Sequence, residues 1–158
     1  MFLRRFHHVA RIKIDGPPER VWAVIRPSEN APTLDPRCVE AWTRMPAGPG
    51  GHEVQVQVLV WDDVRYRCEF AVVEEDPPHF ARTEWVSCVR EDPYTVLERP
   101  RGGSEFNLQR LPDGRTLYEH RFWEEARRWR LTAAERGAVE TSMQEGVHRT
   151  RDVCEAAG

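Results

Sequence analysis

Apolar residues alternate from Phe6 to Ile14: Phe6, His8, Ala10, Ile12 and Ile14 fall on one side, His7, Arg11 and Lys13 on the other. A period of two predicts a half-buried strand. Asp15-Gly16-Pro17-Pro18-Glu19 stops it and opens a helix, since prolines fit a first helical turn and an acid favours its positive end. Val21, Trp22, Val24 and Ile25 give that helix an apolar side, and Pro27 limits it. The stretch from Ser28 to Pro36, rich in Pro, Asn and Asp, leaves room for at most one more short helix.

Strand patterns then dominate. Cys38 to Thr43 is a short candidate, and Pro46 to Gly51 reads as a loop. From His52 to Trp61, Val54, Val56, Val58 and Val60 share one face. Asp62-Asp63 turns the chain, and Val64 to Val73 returns with Tyr66, Cys68, Phe70 and Val72 facing one way and Arg65, Arg67 and Glu69 the other. Asp76-Pro77-Pro78 ends that strand before another from Phe80 to Cys88, and Tyr94 to Glu98 is a further short one. Glu105 to Leu111 and Arg115 to Glu124 flank Pro112-Asp113-Gly114, a hairpin signal.

Near the end the period lengthens. Thr132-Ala133-Ala134-Glu135 reads as a capping box, and no proline follows it. Val139, Met143, Gly146, Val147, Thr150, Val153 and Cys154 recur in steps of three and four, which puts them on one stripe of a helix from Ala133 to about Ala156. Glu145–Arg149 and Arg151–Glu155 have the spacing of pairs on the other face. The stripe is thin at Gly146 and Thr150, as for a helix held close to a sheet or roofing a space. Strands grouped together with helices apart predict an α+β fold. The expected architecture is a curved antiparallel sheet of about seven strands wrapped around the long C-terminal helix, with one or two short helices after the first strand.

A chain of 158 residues suits one domain over 1–158 with a real core. No apolar run reaches membrane-spanning length and the start lacks signal-peptide character, so the expectation is a cytoplasmic protein with no membrane span. Net charge is −3 with scattered arginines, which gives no reason to expect nucleic acid. Cys38, Cys68, Cys88 and Cys154 are too dispersed for a zinc site or disulfide framework, and the adjacent His7 and His8 point to opposite faces. Neither a metal nor a cofactor is expected. The oligomeric state stays open, a homodimer included.

Ile12-Lys13-Ile14-Asp15-Gly16-Pro17-Pro18-Glu19-Arg20-Val21-Trp22 resembles the opening of the helix-grip (SRPBCC) superfamily, which includes START domains, Bet v 1 allergens and bacterial polyketide cyclase/dehydrase proteins. Gly48-Pro49-Gly50-Gly51, Asp76-Pro77-Pro78 and Gly114-Arg115-Thr116 are similar at matching places, so the resemblance runs the length of the chain. It implies a deep apolar cavity between sheet and long helix, holding a polyketide or lipid-like hydrophobic small molecule. Family members range from cyclases to carriers, and fold analogy does not supply a reaction. The expected ligand-binding residues are Tyr66, Cys68, Phe70, Phe106, Leu108, Tyr118, Phe122, Met143 and Val147. An ordinary packed core would use the same set.

No nucleophile elbow, phosphate loop or zinc-protease motif is present. Catalysis would be acid–base chemistry on a confined carbonyl compound, of the polyketide cyclase/dehydratase (lyase or isomerase) kind. The alternative is a non-catalytic carrier of a lipid, quinone or polyketide. His120, between Tyr118 and Phe122 in the alternation, is the expected proton shuttle; otherwise it is a core histidine. Arg82 and Glu84 form a second candidate catalytic pair if their face of the strand is inward. If Ala81, Thr83 and Trp85 face inward instead, that pair is a surface one. Cyclases of this superfamily commonly carry hydroxyl and guanidinium groups along the strand that holds Tyr66, Cys68, Phe70 and Val72 here, and this strand departs from them. Glu124 to Arg130, with Trp129, is a candidate gate.

Overall fold

The computed structural model describes residues 3–44, 49–97, 101–127 and 132–158. Residues 128–130 of the candidate gate, 46–48 of the Pro46 to Gly51 loop and the Glu98 end of the short strand lie outside these. The chain runs β1 (Leu3–Ile14), α1 (Pro18–Ile25), a 3-10 turn at Ser28–Asn30, α2 (Ala31–Leu34), β2 (Cys38–Arg44), β3 (Val54–Trp61) and β4 (Val64–Asp76). It continues through β5 (Phe80–Glu91), β6 (Tyr94–Val96), β7 (Arg101–Arg110), β8 (Thr116–Arg127) and α3 (Ala133–Ala156).

All eight strands join one antiparallel sheet in the order β1-β8-β7-β5-β4-β3-β2, with β6 paired to β5. Its tight turns follow local chemistry. Asp62 and Asp63 both take positive φ, 47° and 61°, a geometry short polar side chains tolerate and one that matches strand twist. Two register shifts between β4 and β5, at Glu69/Phe70 and Val72/Glu74, bend the centre of the sheet.

α3 begins at the capping box: Thr132 Oγ1 accepts from the Glu135 amide at 3.1 Å, and Glu135 Oε2 accepts from the Thr132 amide at 2.6 Å. Glu145 pairs with Arg149 at 2.9 Å. Arg151 turns instead to Asp152, while Glu155 accepts from the Asp15 amide at 3.1 Å and ties the helix end to the turn after β1. Met143, Val147, Thr150 and Cys154 form the buried stripe. Met143, Val147 and Cys154 meet Ile14, Val21, Leu108 and Tyr118 in a packed core beneath the helix. Beside this core, Val139, Ser142, Met143, Gly146 and Thr150 of the helix line a cavity.

The valine alternation of β3 points away from that space. Val54, Val56 and Val58 are buried on one face, while Gln55, Gln57, Leu59 and Trp61 present the opposite face to the cavity.

Candidate functional site: a cavity under the long helix

The cavity has a volume of about 370 Å³ and is bounded by the sheet, by α3, and by the segment from α1 to Arg37. Strand register explains its rows. Tyr118, His120, Phe122 and Glu124 alternate inward along β8. Opposite them on β7 stand Leu108, Phe106, Ser104 and Gly102, and on β1 Ile12, Ala10, His8 and Phe6. Beyond β7 come Ala81, Thr83 and Trp85 of β5, then Val72 and Phe70 of β4. Phe70 stacks on Trp85 with ring centroids 5.8 Å apart, and Trp85 meets Phe122 edge-on at 5.6 Å. Phe70, Trp85 and Phe122 thus form a continuous aromatic strip in the sheet-side wall.

Gly102 permits this wall. A Cβ there would lie 2.5 Å from the Trp123 carbonyl oxygen and 3.4 Å from the Trp85 ring, so a side chain has no room. Gly146 on the helix is close-packed but less constrained, since a Cβ there would sit 3.4 Å from the Leu34 carbonyl oxygen of α2.

Polar groups are set into the walls. His120 Nε2 lies 3.0 Å from Ser104 Oγ, and its ring stacks on Phe106 at 4.7 Å. Burial disfavours the imidazolium and holds the His120 pKa down to about 4, so the ring is neutral at neutral pH. Burial likewise raises the Tyr118 phenol, which stays protonated. Glu124 is raised by desolvation, a shift that neighbouring His8 opposes. The Trp85 indole N–H, Ser142 Oγ and Glu124 Oε1 are buried with no hydrogen-bond partner among the described residues. At another edge the Arg37 amide donates to Asp35 Oδ1 at 2.8 Å, and its guanidinium lies over Trp61 at 5.2 Å. Arg26 closes the α1 end through a two-pronged pair with Glu53, both contacts 2.9 Å, and a further bond to Glu75.

Of the residues expected at a ligand site, Phe70, Phe106, Tyr118, Phe122, Met143 and His120 line the cavity. Leu108 and Val147 belong to the packed core instead. Cys68 lies outside the lining, buried with its Sγ 2.9 Å from Cys88 Sγ on the adjacent strand. Tyr66, two residues further from the cavity, is paired with Arg90 and partly exposed. Arg82 and Glu84 are not brought to the site: Ala81, Thr83 and Trp85 take the inward positions, Glu84 is exposed, and Arg82 pairs with Glu74 at 3.2 Å. The register shift beside Trp85 hides this from periodicity. Gln55, Gln57, Arg37, Ser104 and Ser142 also line the cavity without a sequence signal, and Glu124, expected only as part of a gate, lines it too. Gln55 and Gln57 alternate with the valines of β3, and their pairing opposite Phe70 and Cys68 shows where they point.

Among the described residues no helix is long and apolar enough to cross a membrane, and no three His, Cys, Asp or Glu side chains converge as a metal site. No protein-family model matches the chain, and no curated protein sequence matches it significantly. Solved structures do. A START superfamily protein from Mycobacterium smegmatis superposes with a TM-score of 0.76 at 10% identity, over 96% of this chain and 99% of that one. Ara h 8.0201 gives 0.68 at 13%, over 97% and 99%. The di-domain ARO/CYC StfQ from the steffimycin biosynthetic pathway gives 0.65 at 18%, over 93% of this chain and 44% of its own length. With its antiparallel sheet, its long C-terminal helix and the two short helices after its first strand, this protein has the helix-grip fold.

Proposed function

We propose that the protein binds a hydrophobic, oxygen-bearing small molecule of polyketide type in the cavity under α3 and acts on it by acid–base chemistry. The observation that carries this reading is the pairing of an aromatic wall with polar atoms left unpartnered at it, the Trp85 N–H and Ser142 Oγ. Buried polar groups ordinarily find partners, and a ligand carbonyl and hydroxyl would supply them here. The volume lies within the ~300–1,000 Å³ of small-molecule sites. The likeness to one domain's length of StfQ is compatible with a polyketide-derived ligand. Gln55, Gln57, Thr83 and Ser104 supply polar contacts that β4 lacks.

A carrier for a lipid, quinone or polyketide is the second reading, favoured by one observation: with its pKa near 4, His120 is a weak base at neutral pH. In that reading it serves as a hydrogen-bond partner rather than a proton shuttle. The two readings part on a simple pair of measurements. Calorimetric titration with 1,8-dihydroxyanthraquinone reports binding, and NMR of 2-tetralone in D₂O reports exchange of its α-hydrogens. Binding with accelerated exchange supports the catalyst, binding without exchange the carrier, and no saturable binding of either compound removes both.

A further inference from the structure

His8 stands between two openings. On one side, Glu124 lines the internal cavity and its Oε1 lies 3.8 Å from His8 Nε2. On the other, Glu140 of α3 lies 3.6 Å from His8 Nδ1, with its side chain 61% exposed. A separate open groove on the surface is lined by His8 and Glu140 together with Arg5, His7, Arg136 and Gly137. His8 therefore lines the groove and backs onto the cavity-lining Glu124 and Phe122, 2% exposed and stacked against Phe122 at 6.0 Å. Neither of its ring nitrogens has a hydrogen-bond partner among the described residues.

An imidazole between two carboxylates, one facing a closed cavity and one facing water, can take a proton on one nitrogen and release one from the other. Both gaps exceed a hydrogen bond by under an ångström or so, within the reach of side-chain adjustment or one bridging water. We propose that Glu124, His8 and Glu140 form a proton path from the surface groove to the cavity, with Glu124 the group that takes and returns a proton at the bound ligand. This rests on the acid–base reading above and names its catalytic residue; His8 and Glu140 act through Glu124.

The step balances without a further reactant. The Glu124 carboxylate takes an α-proton from a bound ketone, and the C–H pair becomes the C=C of the enolate, whose oxygen accepts from a wall donor such as the Trp85 N–H. The new Glu124 proton passes to His8 Nε2 while the Nδ1 proton leaves to Glu140 and then water. Return of a solvent proton along the path restores the ketone. Without the path, most of the abstracted hydrogen goes back to the same carbon and exchange slows. Burial and the nearby Glu135 both raise the Glu124 carboxyl, and His8 opposes them, so the acid limb of the exchange profile should lie above the ordinary carboxylate range.

The test is exchange of the α-hydrogens of 2-tetralone in D₂O, followed by ¹H NMR at low buffer concentration, with 2-tetralone affinity measured alongside. Glu124→Gln should lose exchange by about 10²-fold or more and lose the acid limb, with affinity little changed. Glu140→Gln alters an exposed side chain and should leave the fold intact. It should slow exchange about tenfold, and added imidazole buffer should restore it, which a structural role would not allow. His8→Gln should behave as Glu140→Gln does. Wild-type exchange that survives in all three variants overturns the path and leaves the acid–base reading standing. A wild-type protein that binds 2-tetralone without exchange overturns both and leaves the carrier, and one that does not bind it overturns the path together with the ketone reading.

Discussion

His120 Nε2 and Ser104 Oγ lie 3.0 Å apart on adjacent strands, diagonal to the Phe106–His120 pair, so the imidazole is fixed by a neutral hydroxyl and an aromatic face rather than by a carboxylate. Burial then dominates its titration and holds the pKa to about 4. Above pH ~6.5 the imidazole is neutral in folded and unfolded chains alike, and the contribution is zero. Between pH ~6.5 and 4 the unfolded chain takes up a proton that the folded chain refuses, so stability falls with pH, by about 3 kcal/mol at the lower end. His120→Gln should remove this part of the acid sensitivity in urea denaturation measured at a series of pH values. An unchanged profile would show that His120 titrates as an exposed histidine does.

Leu108 and Phe70 separate core from cavity. Leu108 is 3% exposed and packed in the cluster beneath α3, so Leu108→Ala should cost about 2–5 kcal/mol of stability with little effect on ligand affinity. Phe70→Ala removes a cavity wall and should weaken binding of 1,8-dihydroxyanthraquinone instead. Equal effects of both changes on affinity would place Leu108 at the ligand.

On the outward face of β5, Glu84 is exposed and Arg82 pairs with Glu74. Glu84→Gln should leave both ligand affinity and 2-tetralone exchange at wild-type values, and shift stability by no more than about 0.5 kcal/mol. A large loss of exchange in this variant would put that face of the strand back into the chemistry.

Arg26 joins the end of α1 to Glu53 and Glu75, and its guanidinium holds the Glu53 carboxyl below the usual carboxylate range. That contribution is present above the ordinary glutamate pKa and is lost as pH falls through the lowered one. Arg26→Met should cost about 1.5–3 kcal/mol at neutral pH, less at acid pH, in the same denaturation experiment. A loss that grows on acidification would contradict the assignment.

The fold was legible where local chemistry and periodicity agree. The Thr132/Glu135 box, the Asp62-Asp63 turn and the Met143–Val147–Cys154 stripe each specify an element and its buried side. The site was less legible, because a cavity wall does not have to look like a core. β3 turns its valines away and its glutamines in, the reverse of what apolar alternation suggests for a wall. In β5 both faces carry residues fit for an interior, and a register shift beside Trp85 breaks the alternation that would have chosen between them. Glu124 and His8 share a face only through the β1–β8 pairing, in which Phe6 opposes Glu124 and His8 opposes Phe122, positions more than a hundred residues apart in sequence.

A ligand in the space under α3 whose oxygen meets the Trp85 indole N–H would be reported directly by that N–H. In a ¹H–¹⁵N correlation spectrum that indole gives its own cross-peak, assignable by its loss in Trp85→Phe. Titration with 1,8-dihydroxyanthraquinone should move the peak saturably at one ligand per chain, together with the amides of Phe106, His120 and Gly146 around the cavity. An indole peak that stays fixed while shifts scatter over the outward face of the sheet would contradict binding at Trp85.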